Sequence, residues 1–123
     1  EYFIFTDPEC PYCQRFEQQL HELKSDVTLY TILCPLDFHK NAISMSRYIL
    51  SQKDDKAKAA AMKAIAHKSN AYINAKHSDI EKEKYDKIIE NSINIVIALG
   101  LNGTPTILNA KGEKISPQEI LKK

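Results

Sequence analysis

Cys10 and Cys13 stand two residues apart in the stretch Phe5-Thr-Asp-Pro-Glu-Cys-Pro-Tyr-Cys13. Thiols at that spacing can close a small disulfide or supply half of a metal shell, and their surroundings separate these chemistries. An apolar strand runs into the motif, and Tyr12, Cys13, Phe16, Leu20 and Leu23 recur after it at helical spacing. Cys10 therefore stands where a helix should begin, with Pro11 at the first helical position, where its missing N–H costs nothing. This predicts one sulfur exposed at a helix N-terminus and the other just beneath it, on or near the buried face. The thiolate is the nucleophile, and a free cysteine has a pKa of about 8.5. Helix N–H groups and the positive end of the helix dipole favour the anion at Cys10. Cys10 is thus expected to attack and form a mixed disulfide with a client protein, and Cys13 to release it by thiol–disulfide exchange. No second Cys-x-x-Cys or His pair completes a metal shell, so neither metal nor cofactor is expected in this reading.

The elements that must position this motif follow from periodicity. Tyr2 to Phe5 reads as a strand, Pro11 to Lys24 as a helix, and the β-branched, apolar run Val27 to Leu33 as a second strand. Strand, helix, strand in so short a stretch is a βαβ unit with parallel strands. The cysteines then lie at the carboxyl end of a strand, where open α/β sheets place reactive groups. From Asn41 to Asn94 the pattern is helical throughout: a short helix with Ile43, Tyr48, Ile49 and Leu50, a polar break Lys53–Lys56, and an alanine-rich helix from Ala57 to His67. Tyr72 and Ile73 are placed back on the core before a second polar stretch, His77 to Lys84. A further helix carries Ile88, Ile89, Ile93, Val96, Ile97 and Leu99 and ends at Gly100. This stretch reads as a helical insertion between two halves of a sheet. Thr106–Leu108 and Glu113–Ile115 form a hairpin around Asn109–Gly112. Ser116, Pro117 and Glu119 have the spacing of a capping box before a last short helix through Ile120 and Leu121.

The chain of 123 residues, 27% charged and 43% hydrophobic with a net charge of +1, is long enough for one core and has no strong pull toward nucleic acid or acidic membrane. No apolar run reaches the roughly 18 residues of a membrane span. The chain opens at Glu1 on what already reads as a strand, so removal of an upstream segment is expected. Cys34, the third of three cysteines, ends an apolar run before Pro35 and reads as a small buried hydrophobe, the alternatives being a third redox-active thiol or a bridge to an upstream segment. His21, His39, His67 and His77 read as surface or packing residues, none placed near Cys10. Asp7 and Glu9 would, if close, raise the Cys10 pKa.

Gly103-Thr-Pro-Thr106 is the second informative stretch. A proline heading a strand is tolerated at its first residue or an edge. A cis Thr104–Pro105 bond would leave the Thr104 backbone groups able to pair with an extended peptide.

Together the two stretches resemble the thioredoxin superfamily, in which a Cys-x-x-Cys at the start of the first helix faces a cis-proline preceded by Thr or Val. The chain is similar throughout to the catalytic domain of the periplasmic DsbC/DsbG disulfide isomerases. The likeness rests on Phe5–Cys13, on the helical insertion, and on Ala98-Leu-Gly-Leu-Asn-Gly-Thr-Pro105. It implies a thioredoxin-like α/β fold, a central mixed β-sheet flanked by helices with residues 41–94 inserted, in a single catalytic domain over residues 1–123. It implies catalytic Cys10 and Cys13 and a substrate groove that includes Pro11, Tyr12, Thr104 and Pro105. Protein substrates with thiols or disulfides, a membrane redox partner of DsbD type, a periplasmic location and a full-length homodimer through an N-terminal dimerisation domain are implied in the same way. The Pro-Tyr pair looks more like DsbG than DsbC. That dimerisation domain is not among these residues, so oxidase or reductase behaviour is the expectation for this stretch by itself. The insertion also lacks the cysteines of the structural disulfide of DsbC. Ile4 occupies the position, six residues before the first cysteine, where thioredoxin and DsbA-type proteins keep a buried acid. The alternatives are a dedicated electron-transfer protein for one client, a copper- or zinc-handling protein using Cys10, Cys13 and Cys34, and a client-binding module with incidental cysteines.

Overall fold

The computed structural model describes residues 1–36 and 39–122. Its strands are β1 (Tyr2–Thr6), β2 (Leu29–Leu33), β3 (Thr106–Asn109) and β4 (Lys114–Ile115), and its helices α1 (Pro11–Gln18), α2 (Ala42–Leu50), α3 (Asp55–Ala66) and α4 (Asp79–Leu99). The sheet order is β2-β1-β3-β4. β1 pairs parallel with β2 across α1, and antiparallel with β3, which pairs antiparallel with β4.

Alternation along the central strands divides the core. Ile4 and Ile107 face each other across β1 and β3 and pack with Phe16 of α1 and with Ile120 and Leu121. Phe5 and Leu108 point to the opposite face, where Cys34, Val96 of α4 and Leu101 meet them. Helices on both faces thus cover a mixed sheet, and α1 is held over the carboxyl end of β1. A further cluster joins Leu33 at the end of β2 to Met45, Ile49, Met62, Ile65 and Tyr72, seating α2 and α3 on the sheet.

Several boundaries differ from the sequence reading, each for a local reason. α1 stops at Gln18, and its expected last turn is instead a 3₁₀ turn at Leu20–Glu22, followed by extended Leu23, which bridges Leu121. The polar stretch Lys53–Lys56 is no simple break. The Asp54 side chain accepts from the Ala57 N–H at 2.8 Å and starts α3. Ser78 and Glu81 form a reciprocal capping box at 2.9 and 3.1 Å, so most of the polar stretch His77–Lys84 is the first turns of α4. The capping box expected at Ser116 does not form, and Pro117–Glu119 is a 3₁₀ turn with no side-chain cap. Ile120 and Leu121, which follow it, are nevertheless buried. Gly100 ends α4 with φ 66°, in the left-handed region that suits glycine.

Candidate active site

Cys10 is the N-cap of α1, and its carbonyl accepts the first intrahelical bond from the Gln14 N–H at 2.9 Å. The turn before it is closed by Asp7, whose carbonyl accepts the Cys10 N–H at 3.1 Å. Contrary to the sequence expectation, Cys10 is only 6% exposed, hardly more than Cys13 at 3%. The residues that cover it come from far along the chain. The Cys10 thiol points at the Thr104 carbonyl oxygen, 3.7 Å away, and Thr104–Pro105 is a cis peptide bond. Tyr12 stands 66% exposed at the rim, with the Arg15 guanidinium over its ring at 5.4 Å.

Cys10 opens onto a cavity of about 400 Å³. Its walls are largely apolar, from Phe5, Leu36, Val96 and Leu101, and Pro11, Tyr12 and Thr104 complete the rim. All of the site residues anticipated from sequence line this cavity except Cys13 and Pro105, which lie just behind it in the chain. Cys34 and His39 line it too. Cys34 is buried as expected, at 2% exposed, and burial first, then the Asp7 and Cys13 charges, push its thiol up to about 12.

His39 corrects the sequence reading, which placed no histidine near Cys10. Its Nδ1–H donates to Asp7 Oδ2 at 2.7 Å, and the same oxygen accepts the Leu36 N–H at 2.7 Å. The other Asp7 oxygen accepts the Glu9 N–H at 2.8 Å. Asp7 is completely buried, so its carboxylate fastens the loop after β2 to the loop that carries the cysteines. Glu9 is turned toward α2, where its carboxylate binds the Asn41 backbone and side chain at 2.6 and 3.0 Å. Only the spacing Asp7-x-x-Cys10 could have hinted at this hub, since its partners lie some thirty residues away.

Cys13 faces inward. Its sulfur accepts the Asp7 N–H at 3.4 Å. Burial pushes the thiol up to about 11, against the smaller opposing pull of the Thr104 and Thr6 hydroxyls and the Asp7 N–H. Among the described residues, the Thr104 hydroxyl has no other partner of good hydrogen-bond geometry. Ile4, in the position of the acid discussed above, is a core residue 2% exposed against Phe16 and Ile107. The far side of α1 is fastened to α3 and the turn after it: the Gln18 amide donates to the Ala66 carbonyl at 2.8 Å, and Lys68 donates to the Gln14 side-chain oxygen at 2.7 Å.

An exposed-rim cavity with a sulfur at its floor, and a second thiol directly behind it, suits two sequential sulfur exchanges. Among the described residues no three His, Cys, Asp or Glu side chains are grouped so as to hold a metal ion, and no helix is long and apolar enough to cross a membrane.

The family model described as a Thioredoxin-like domain matches residues 2–120. No curated protein matches the chain in sequence. Among solved structures, the chain is similar to a disulfide interchange protein from Neisseria gonorrhoeae, at 25% identity and a TM-score of 0.73, over 94% of this chain and 75% of that one. It is also similar to Proteus mirabilis ScsC, at 21% identity and a TM-score of 0.66, over 96% of this chain and 62% of that one. MdbA, a thiol-disulfide oxidoreductase from Corynebacterium matruchotii, gives 14% identity and a TM-score of 0.65 over 97% of this chain and 80% of its own; at such identities the likeness is one of fold.

Proposed function

This chain belongs to the Thioredoxin-like domain family and has its α/β fold, and from that premise we propose that it is a thiol–disulfide oxidoreductase acting on protein disulfides through Cys10 and Cys13. The observation that carries the proposal is the paired placement of the two sulfurs. Cys10 lies on the floor of the cavity against the Thr104 carbonyl, and Cys13 lies one helical turn on, held by the Asp7 N–H. In the reducing direction the Cys10 thiolate attacks one sulfur of the client disulfide, and the other client sulfur leaves as a thiol. Cys13 then attacks the Cys10 sulfur, the client's remaining thiol is released, and the Cys10–Cys13 disulfide forms. Two electrons pass from the dithiol to the client; the reverse sequence oxidises a client dithiol. Pro11, Tyr12, Thr104 and Pro105 form the wall along which an extended client lies. The Thr104 backbone, whose carbonyl meets the Cys10 thiol before a client arrives, serves it as a strand edge would.

Within this chemistry the reading is of a disulfide isomerase or reductase of the DsbC/DsbG type, with residues 1–123 as one catalytic unit working in the periplasm. A DsbD-type membrane protein would keep the pair reduced, and the full-length protein would dimerise through another domain. The neighbours' names support the chemistry more than the direction, since they include a cytosolic disulfide reductase, DsbM of Pseudomonas aeruginosa.

The test is insulin reduction with a thiol donor. Cys10→Ala is expected to abolish the reaction, and Cys13→Ala to retain the first exchange and accumulate mixed disulfides. Retained turnover in Cys10→Ala would overturn the mechanism.

A further inference from the structure

Cys13 has the harder task of the two thiols. Its proton must leave before its sulfur can attack, yet burial holds the thiol up to about 11, so near neutrality only about one molecule in 10⁴ carries the thiolate. The cavity in front of Cys10 does not serve it. Cys13 lines a separate recess of about 10 Å³ together with Thr6, Asp7, Gln14 and Glu17 and with Met62 and Ala66 of α3. Such a volume admits about one water molecule.

Glu17 follows Cys13 by four residues on α1. Helical side chains lean toward the N-terminus, so a residue at i+4 shares a face with the residue at i, and Glu17 lines the same recess as Cys13. The neighbouring polar side chains are engaged elsewhere: Gln14 with Pro8 and Lys68, and Gln18 with Ala66. Among the described residues, no hydrogen-bonding or ion-pair partner meets the Glu17 carboxyl. Its recess is shared with the thiol that must lose its proton in the second exchange.

We propose that Glu17 is the proton-transfer residue for Cys13, its carboxylate taking the thiol proton, directly or through one water in the recess, as the Cys13 sulfur attacks the Cys10–client disulfide. This rests on the dithiol exchange proposed above. The S–H proton passes to the Glu17 carboxylate, the Cys13–Cys10 bond forms, and the Cys10–client bond breaks. The client thiolate takes a proton from solvent, to which Glu17 returns its own. In the reverse direction Glu17 reprotonates Cys13. Burial suits the group to this exchange, because it pushes the carboxyl up to about 7 and makes both forms available near neutrality. The titratable groups that line the recess with it are Asp7 and Cys13, and Lys68 binds Gln14, another lining residue; α3 contributes the apolar Met62 and Ala66.

The test follows aromatic thiolate release from dithiobis(nitrobenzoate) in a Cys34→Ala background, where only Cys10 and Cys13 remain. The first equivalent reports Cys10 attack and the second reports resolution by Cys13. Glu17→Gln, isosteric and uncharged, is expected to slow the second release about 100-fold at pH 7 and to leave the first within about twofold. The second release should rise through about pH 7 in the parent and only toward about pH 11 in the variant. Glu17→Asp should restore part of the rate and Glu17→Leu none of it. An unchanged second release, or an equal slowing of both steps, would overturn the role of Glu17 while leaving the dithiol mechanism in place. A parent protein that releases no second equivalent would remove the mechanism itself.

Discussion

The two sulfurs of the Cys-Pro-Tyr-Cys turn are almost equally buried, at 6% and 3% exposed, yet they face different surroundings. In front of Cys10 lies an apolar-walled cavity of about 400 Å³, large enough for a client side chain. Behind Cys13 lies a recess of about 10 Å³ that admits no more than a water. Fractional exposure therefore does not separate the two sulfurs. The separation lies in the space each sulfur meets, a wide apolar cavity at Cys10 and a water-sized recess at Cys13.

Asp7 stands between the two regions, and removing it is the strongest way to break the distinction. Its carboxylate binds Glu9, Leu36 and His39 on the side of the main cavity, and its N–H binds the Cys13 sulfur. Asp7→Ala leaves buried donors without an acceptor and is expected to lower stability by about 3 kcal/mol, read from the urea midpoint. Labelling of Cys13 should rise with it. A midpoint that does not move would mean that apolar packing alone holds the two loops.

Alkylation compares the regions directly. At pH 8 iodoacetamide should modify Cys10 first. Cys13, whose thiol is moved from 9.0 to about 11, should react about 100-fold more slowly than the same residue in urea, with Cys34 slower still. Equal rates for Cys10 and Cys13 would erase the distinction. The same shifts set a pH dependence. A thiol whose folded pKa is raised contributes stability that is fully present below its unfolded value and is lost as pH rises toward the folded one. Stability should therefore decline between about pH 9 and pH 12, and Cys34→Ala should flatten the decline.

The smallest effect is expected farthest from either sulfur. Arg47 of α2 and Asp86 of α4 form a two-point ion pair at 2.7 Å on the surface. The guanidinium holds the Asp86 carboxyl below its usual range, so what the pair contributes is lost as pH falls. Arg47→Met should cost no more than about 1 kcal/mol and alter neither sulfur's labelling. A change in Cys13 labelling would show that α2 and α4 shape the recess.

Features set by neighbours in the chain were legible from residue types. β1 running into Cys-Pro-Tyr-Cys and then into α1, the parallel β2, the helical run before β3 and the stop at Gly100 all follow from periodicity and terminal residues, which act over a turn or a strand. Cap chemistry was harder to read. Ser78 and Glu81 look like part of a polar loop yet begin α4, whereas Ser116 has the right spacing and no cap, because the chain after Pro117 turns to bury Ile120 and Leu121. The burial of Cys10, the arrival of His39 beside it and the closing of a recess over Cys13 and Glu17 by α3 were decided by tertiary structure. Cys10 meets Thr104 across 94 residues of chain, and Asp7 meets His39 across 32. Glu17 acquires its apolar surroundings only when α3 packs against α1. Residue types alone determined which groups could react; the closure of these distant segments determined what surrounds each one, because desolvation and hydrogen bonding depend on neighbours in space.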